Sequence, residues 1–376
     1  MKTRVANLVW VLGTGGIESE VMQIYCNLNH DRIEEDFIID YDNYNTYDNT
    51  IKQYNGKKMP LFAGDEVDGC KFYKIAKAVR LYKLLKANKY DAVYNNVSYP
   101  STLFYNLIAK LAHVPNVIVQ SHAVAIVKQT RSQLIRNAIY RAVFCKFADN
   151  LIAVSNDAGK WAYGRREFQV IPNGIDVNSF IYSQEKRNQI RSKLKINDKC
   201  KLLGTVGRLS KAKNQVFLVE LFARLKEEYN DIKLVIVGTG ELYEDLRNEA
   251  KRLNVANDVV LWGYTNDVAA LLSAIDIFAF PSLHEGYGLA VVEAQVSGLP
   301  VIASNGVPIN TKVTERIEYI ELNKEKWLQA FELLLDSNKD YNRMDVNVEQ
   351  IKTMVDITRI TNRVELMMRN RKNESM

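Results

Sequence analysis

An α/β architecture of two doubly wound parallel sheets is what this sequence predicts, and three observations carry it. Short runs rich in Val, Ile and Leu alternate with longer stretches of helical period up to about residue 303. That alternation is the pattern of parallel strands joined by crossover helices. The rhythm restarts near residue 200, after a polar, charged stretch at 183–199. A chain of 376 residues is also too long for one hydrophobic core and a natural length for two.

The strand runs of the first half are 5–12, 37–40, 92–95, 117–121 and 151–154. Those of the second half are 201–206, 233–237, 259–261, 277–280 and 301–303. Amphipathic helices are expected over 16–28, 72–87, 214–229, 242–253 and 289–297. The stretch 41–54, dense in Tyr, Asn and Asp, reads as a long polar loop, and 346–371 as helical. The domains then run over 1–177 and 178–349, joined around 172–188, with a C-terminal helix over about 350–376. The carboxyl ends of both sets of strands are expected to face each other across a cleft, where such folds bind ligands.

The hydrophobic fraction of 47% and the charged fraction of 25% exclude a disordered, collagenous or fibrous chain. The net charge of +6 is unevenly spread: residues 1–177 hold 22 Lys and Arg against 17 Asp and Glu, residues 178–376 hold 28 against 27. A nucleic-acid partner would call for a far more basic chain. The excess is better read as a basic surface on the first half. Cys26, Cys70, Cys145 and Cys200 stand far apart with no metal-ligand spacing, which predicts reduced and mostly buried thiols. No apolar run reaches the ~18–20 residues of a membrane span. Run 5–12 reads as a first strand, not a signal peptide. A cytoplasmic protein is expected, free to touch the membrane peripherally from that side.

The strongest constellation is the run 281–300, PSLHEGYGLAVVEAQVSGLP. It follows a strand, turns through glycines and opens a helix, with Gly286, Tyr287, Gly288 and Leu289 at the helix start. The first N–H groups of a helix and its positive dipole end suit a diphosphate. Gly286 and Gly288 let backbone come close to phosphate oxygens. Glu285 would sit at the turn, and Glu293, eight residues on, would project from the helix's second turn. A carboxylate there can accept hydrogen bonds from paired ribose hydroxyls.

The Glu-x7-Glu helix followed by AQVSGLPVI resembles the donor-site signature of retaining glycosyltransferases of GT-B fold, most closely the large group called family 4. Further matches run in order along the chain. Gly15-Gly16-Ile-Glu18 is similar to the glycine turn of the N-terminal domain, and IPNGID at 171–176 to the segment between domains. Gly207-Arg208 with Lys213-Asn214 resembles the family's Gly-Arg and Lys-Asn element, and VGTG at 237–240 its next strand and turn. The resemblance implies two Rossmann-like domains and transfer of a hexosyl or N-acetylhexosaminyl unit from a nucleotide sugar, a UDP-sugar first of all. It implies a saccharide acceptor and no cofactor or metal, and the form is reminiscent of capsule and exopolysaccharide transferases.

By the same resemblance, Arg208 and Lys213 would hold the departing diphosphate. Glu285 would lie beside the donor sugar, Glu293 on the ribose and Tyr264 near uracil. His122, at the carboxyl edge of run 117–121, would lie near donor sugar and acceptor, and Gly16 would close over the phosphates. The chain departs from the family after Ala303, where SNGVPIN replaces the usual glycine pair and acidic residue. The competing readings are a UDP-sugar 2-epimerase on the same fold and a silent sugar-binding subunit; the intact set of four charged residues counts against the second.

Two basic sets remain. Lys71, Lys74, Lys77, Arg80, Lys83, Lys86 and Lys89 recur without an acidic residue, over an apolar stripe of Phe72, Ile75, Val79, Tyr82 and Leu85. Lys128, Arg131, Arg136, Arg141 and Lys146 follow His122. They predict a cationic face toward anionic lipid or a lipid-diphosphate-linked acceptor. Asp40-Tyr-Asp42 imitates a metal-binding Asp-x-Asp without partner ligands, and Gly13-x-Gly15 imitates a dinucleotide fingerprint that Glu18 spoils.

Overall fold

The computed structural model describes residues 2–13, 15–62, 73–97, 99–122, 129–337 and 342–370. The chain divides into two compact units: Met1–Gly174 with Val355–Met376, and Ile175–Met354.

The first unit is built on strands β1 (Thr3–Val9), β2 (Ile33–Tyr41), β3 (Lys58–Phe62), β4 (Ala92–Val97), β5 (Asn116–Ser121), β6 (Asn150–Ala153) and β7 (Gln169–Val170). Among the described residues they form a parallel sheet of order β3-β2-β1-β4-β5-β6-β7. The second unit uses β8 (Lys201–Val206), β9 (Ile232–Val237), β10 (Val259–Gly263), β11 (Ile277–Phe280), β12 (Val301–Ser304) and β13 (Ile317–Ile320), in the order β10-β9-β8-β11-β12-β13. Each sheet therefore reverses its winding once, between β1 and β4 and between β8 and β11. At such a switch point the flanking loops part and leave a crevice beyond the carboxyl ends.

The central strands read as near-continuous apolar runs because helices cover both their faces. In the second unit one core gathers Leu203, Phe222, Leu234 and Trp327 on one face, while another gathers Leu202, Val235, Phe278 and Leu299 on the other. In the first unit Val5, Phe37, Tyr94 and Ile118 share a core with Ile360, Val364 and Met368 of helix Ile357–Arg369. That helix is pinned by Asn116, whose Nδ2 donates to Met367 O at 2.7 Å.

Several expectations need correction. The polar loop read over 41–54 holds the end of β2 and a helix, Asp48–Gln53, anchored by buried Ile51. Strands β3, β7 and β13 were not expected. All three are sheet edges: β3 carries Pro60, β13 exposed Glu318, and β7 is two residues long, so none has the pattern of a buried strand. The helical stretch 346–371 is two helices, Val348–Val355 and Ile357–Arg369, broken at Asp356, which caps the second. Of the described cysteines Cys145 is buried, Cys200 partly so and Cys26 exposed, so the burial expected of most of them fails; Cys70 lies outside the described residues.

The apolar stripe expected along 72–87 is also wrong. Helix Tyr73–Asn88 buries Lys77, Leu81 and Leu85, while Ile75 is 62% exposed and Val79 45%. Lys77 leaves the expected cationic face because Asp40, at the end of β2, takes its ammonium. Lys71, Phe72 and Lys128 lie outside the described residues.

Candidate functional site

The second unit's switch point is formed by the loops after β8 and β11. Residues 207–214 leave β8 and enter helix Gln215–Glu228 through Asn214, held at φ 56°. Asn214 Nδ2 donates to Pro281 O at 3.2 Å and Leu283 N to Ala212 O at 2.7 Å, so the two loops are stitched together. Gly238 crosses close behind: a Cβ there would lie 2.0 Å from the carbonyl oxygen of Gly207.

This stitching brings Lys213 and Glu285 together. Lys213 Nζ donates to Glu285 Oε1 at 2.6 Å and stands 4.9 Å from the centroid of the Phe280 ring. Ser282 Oγ donates to the same carboxylate oxygen. The pair is largely sheltered, the side chains being 25% and 11% exposed. The divergent loop after β12 backs it: Gly306 O accepts from Glu285 N at 3.0 Å, and Ser304 Oγ donates to Ser282 O.

Just beyond, helix Leu289–Val296 starts from Gly288 at φ 99° with no side-chain cap. The helix begins at Leu289, as expected, and Tyr287 is buried in the turn before it. Its leading N–H groups are left for a ligand or solvent. Glu293 is half-buried on this helix, and desolvation alone pushes its carboxyl up to about 7. Among the described residues no side chain donates a hydrogen bond to it.

Arg208 and Tyr264 are not drawn into this cluster. The Arg208 guanidinium is 75% exposed and pairs with Glu241 at 3.4 Å, although its carbonyl accepts from Gln215 Nε2 at 2.9 Å. Tyr264 is 70% exposed just past β10 and donates to Asn266 Oδ1 at 2.6 Å. Phe280, Ser282 and Glu241 were given no role by sequence reasoning; the Pro-Ser start of the motif was the one signal for Ser282.

In the first unit His122 follows β5 and is buried, 7% exposed. Its Nδ1 donates to Glu20 Oε2 at 2.9 Å, and its Nε2 faces Asn96 Oδ1 at 2.7 Å. Gln120 Nε2 donates to the other Glu20 oxygen at 2.9 Å. Asn96 Nδ2 donates to Asn7 Oδ1 at 2.7 Å, and Asn7 Nδ2 to Glu35 Oε1 at 2.9 Å. Burial pushes the Glu35 carboxyl up to about 8. Both ring nitrogens of His122 are thus engaged inside the unit. Gly16 opens helix Gly16–Asn27, exposed, with open space where a side chain would be.

Among the described residues no group of three or more His, Cys, Asp or Glu is placed to hold a metal ion. Asp40 and Asp42 are engaged by Lys77 and Lys58. No described helix is long and apolar enough to cross a membrane.

Two family models match the chain: Glyco_transf_4, Glycosyltransferase Family 4, over residues 15–179, and Glycos_transf_1, Glycosyl transferases group 1, over residues 186–351. A relative named as a glycosyltransferase, EpsF of Bacillus subtilis (strain 168), is 29% identical over 314 residues, 81% of this chain and 79% of its own. The UDP-Gal:alpha-D-GlcNAc-diphosphoundecaprenol alpha-1,3-galactosyltransferase of Escherichia coli is 33% identical over 256 residues, 65% of this chain and 66% of its own. In fold the chain is similar to HepE of Anabaena, solved in complex with UDP-glucose: TM-score 0.77 at 20% identity, covering 96% of this chain and 98% of that one.

Proposed function

Because this chain belongs to the glycosyltransferases of group 1 and family 4, with their GT-B fold, we propose that it moves a hexosyl or N-acetylhexosaminyl unit from a UDP-sugar to a saccharide acceptor with retention at the anomeric carbon. The observation that carries this reading is the sheltered Lys213–Glu285 pair beside an uncapped helix start, at the switch point of the second sheet.

The donor diphosphate lies against the N–H groups at Gly288 and Leu289, with Gly286 and the buried Tyr287 shaping the turn. Lys213 supplies a fixed positive charge, and Arg208, on an exposed and adjustable side chain, a second. Glu285 faces the donor sugar, and Glu293 accepts from the ribose hydroxyls. Tyr264, on the surface beyond β10, is placed for the base. The first unit receives the acceptor, with Gly16 and His122 at the carboxyl edge of its sheet.

In the reaction the bond from the anomeric carbon to the diphosphate oxygen breaks as the acceptor oxygen attacks the same face. The acceptor's proton passes to the departing phosphate oxygen, giving UDP and the lengthened saccharide. Protein charge stabilises the leaving group, and no protein nucleophile, cofactor or metal takes part.

The acceptor is best read as lipid-diphosphate-linked, met by a protein lying against the cytoplasmic face of a membrane. Helix Arg131–Phe144 supports this: Leu134, Ile135 and Ile139 are more than half exposed, with Arg131 and Arg136 exposed on the same helix. An exposed apolar ridge with flanking arginines suits an anionic lipid surface.

A panel of UDP-, GDP- and ADP-sugars tests the donor. A UDP-sugar should raise the melting temperature and be slowly hydrolysed. Stabilisation by GDP- or ADP-sugars with none by any UDP-sugar would refute the assignment.

A further inference from the structure

We infer that the first unit holds a subsite for one uncharged pyranose ring bearing a methyl group, as an N-acetyl substituent or a 6-deoxy carbon, at the switch point of its own sheet. It rests on the reading above only for its purpose, which is to hold the acceptor's sugar.

A pocket open to solvent lies between the loops leaving β1, β2 and β4. The crevice beyond a switch point is where doubly wound sheets take ligands. Its apolar surface comes from Leu8, Ile38, Leu61 and Leu81, each less than a tenth exposed. Trp10 and Tyr99 also line it and are 60% and 54% exposed, two large rings left uncovered at a pocket. Trp10 O accepts from Asp40 N at 2.8 Å, which ties the indole's loop to the end of β2.

The polar wall is an ion pair with capacity to spare. Asp40 Oδ2 accepts from Lys77 and, at 3.1 Å, from Tyr73, while among the described residues Oδ1 accepts from none. An ammonium has three N–H donors. Among the described residues one of Lys77's is hydrogen-bonded, and the charge also stands 4.7 Å from the Tyr105 ring centroid. Burial pushes the Asp40 carboxyl up and the Lys77 ammonium down, each opposed by the other's charge. One open acceptor beside open donors, with aromatic and aliphatic surface opposite, fits a pair of neighbouring hydroxyls on a ring with one apolar face.

Charge narrows the choice. Glu18 and Asp40 against Lys77 leave the lining one negative charge in excess. A uronate or sugar phosphate would meet two carboxylates, whereas a neutral sugar meets none of that repulsion. The apolar floor favours a methyl-bearing substituent over a bare hydroxymethyl group.

The test is binding without donor. The full chain is titrated with the methyl glycosides of N-acetylglucosamine, rhamnose and glucuronic acid, and with octyl phosphate as a lipid-chain control, by calorimetry or ligand-observed NMR. The N-acetyl or the deoxy glycoside should bind, the stronger of the two identifying the source of the methyl, and the glucuronide should bind at least about tenfold more weakly. Trp10→Ala and Tyr99→Ala, at exposed positions where the fold tolerates truncation, should each weaken the glycoside about tenfold and leave UDP binding unchanged. Equal binding of the glucuronide, binding of octyl phosphate alone, or unchanged affinity in both variants would overturn the inference. UDP-sugar hydrolysis is scored separately, so failure of the donor assignment and failure of this subsite are told apart.

Discussion

The two sheets share one winding order, yet the crevices at their switch points are built from opposite materials. In the first unit the edge is lined by side chains already bonded to one another: His122 to Glu20 and Asn96, Asn96 to Asn7, Asp40 to Lys77. In the second the one bonded side-chain cluster is Lys213 and Ser282 on Glu285; beside it the edge is backbone and glycine, with an uncapped helix start and a carboxylate, Glu293, that no described side chain satisfies. A preformed side-chain lattice suits a neutral ring whose hydroxyls must be matched in position. Free N–H groups beside a sheltered and an exposed cation suit phosphate, whose charge is recognised from several directions. On the proposed reading, the same topology would serve two ligands through what is placed at the turn.

The largest effect should come from removing the cation of the second edge. Lys213→Ala deprives the proposed leaving group of its sheltered charge and leaves Glu285, only 11% exposed, without its counter-charge. Loss of kcat by about 10²–10³-fold is expected, the scale of a lost electrostatic contact to developing charge. Glycoside binding by the first unit should be unaffected. Steady-state kinetics beside the donor-free titration checks both halves, and an equal loss of glycoside binding would break the separation of roles.

Glu293 sharpens the comparison through pH. Its carboxyl is held up near 7 by burial, so the unliganded protein carries it protonated below that point. Ribose hydroxyls donate more strongly to the carboxylate than to the acid. Binding of a UDP-sugar should therefore tighten as pH rises through about 7, with release of a proton, and weaken as pH falls. Glu293→Gln should flatten this dependence and cost up to about tenfold in affinity at pH 8. A UDP-sugar is the right probe, because its phosphates do not titrate in this window. Calorimetry at pH 6 and 8 gives the answer, and a parallel pH slope in both proteins would remove Glu293 from the ribose.

How much of this was legible follows from where each residue sits. Strands β8 and β11 could be read to the residue, because strands covered on both faces form short, nearly continuous apolar runs. Edge strand β3 could not: Pro60 and the polar run 55–58 ahead of it look like loop in a one-dimensional pattern. Lys213 and Glu285 were visible as a spacing after two strands, but Ser282 was not, since its contact depends on how one turn folds. Lys77 misled most. Cations recurring every three residues look like a solvated face, and nothing local tells that Asp40, 37 residues earlier, ends a strand against that helix. His122 and Glu20 meet across 102 residues for the same reason: the helix after β1 carries Glu20 to the end of a strand far along the chain.

The smallest effect is expected at the pair that looks most like a site contact. Arg208 and Glu241 are 75% and 52% exposed and 3.4 Å apart. A pair this open to water is worth roughly 0–1 kcal/mol, since solvent screens it and both side chains lose freedom to make it. Glu241→Gln should leave the melting temperature within about 1 °C, by that reasoning, and should free Arg208 to turn toward a diphosphate. Donor KM should then stay level or fall by up to about twofold with kcat unchanged. Arg208→Ala on the same background should lower kcat, which separates the arginine's charge from the ion pair it makes at rest. If Glu241→Gln instead lowered kcat as far as Arg208→Ala did, the resting pair would itself be positioning the arginine, and the second edge would be as preorganised as the first.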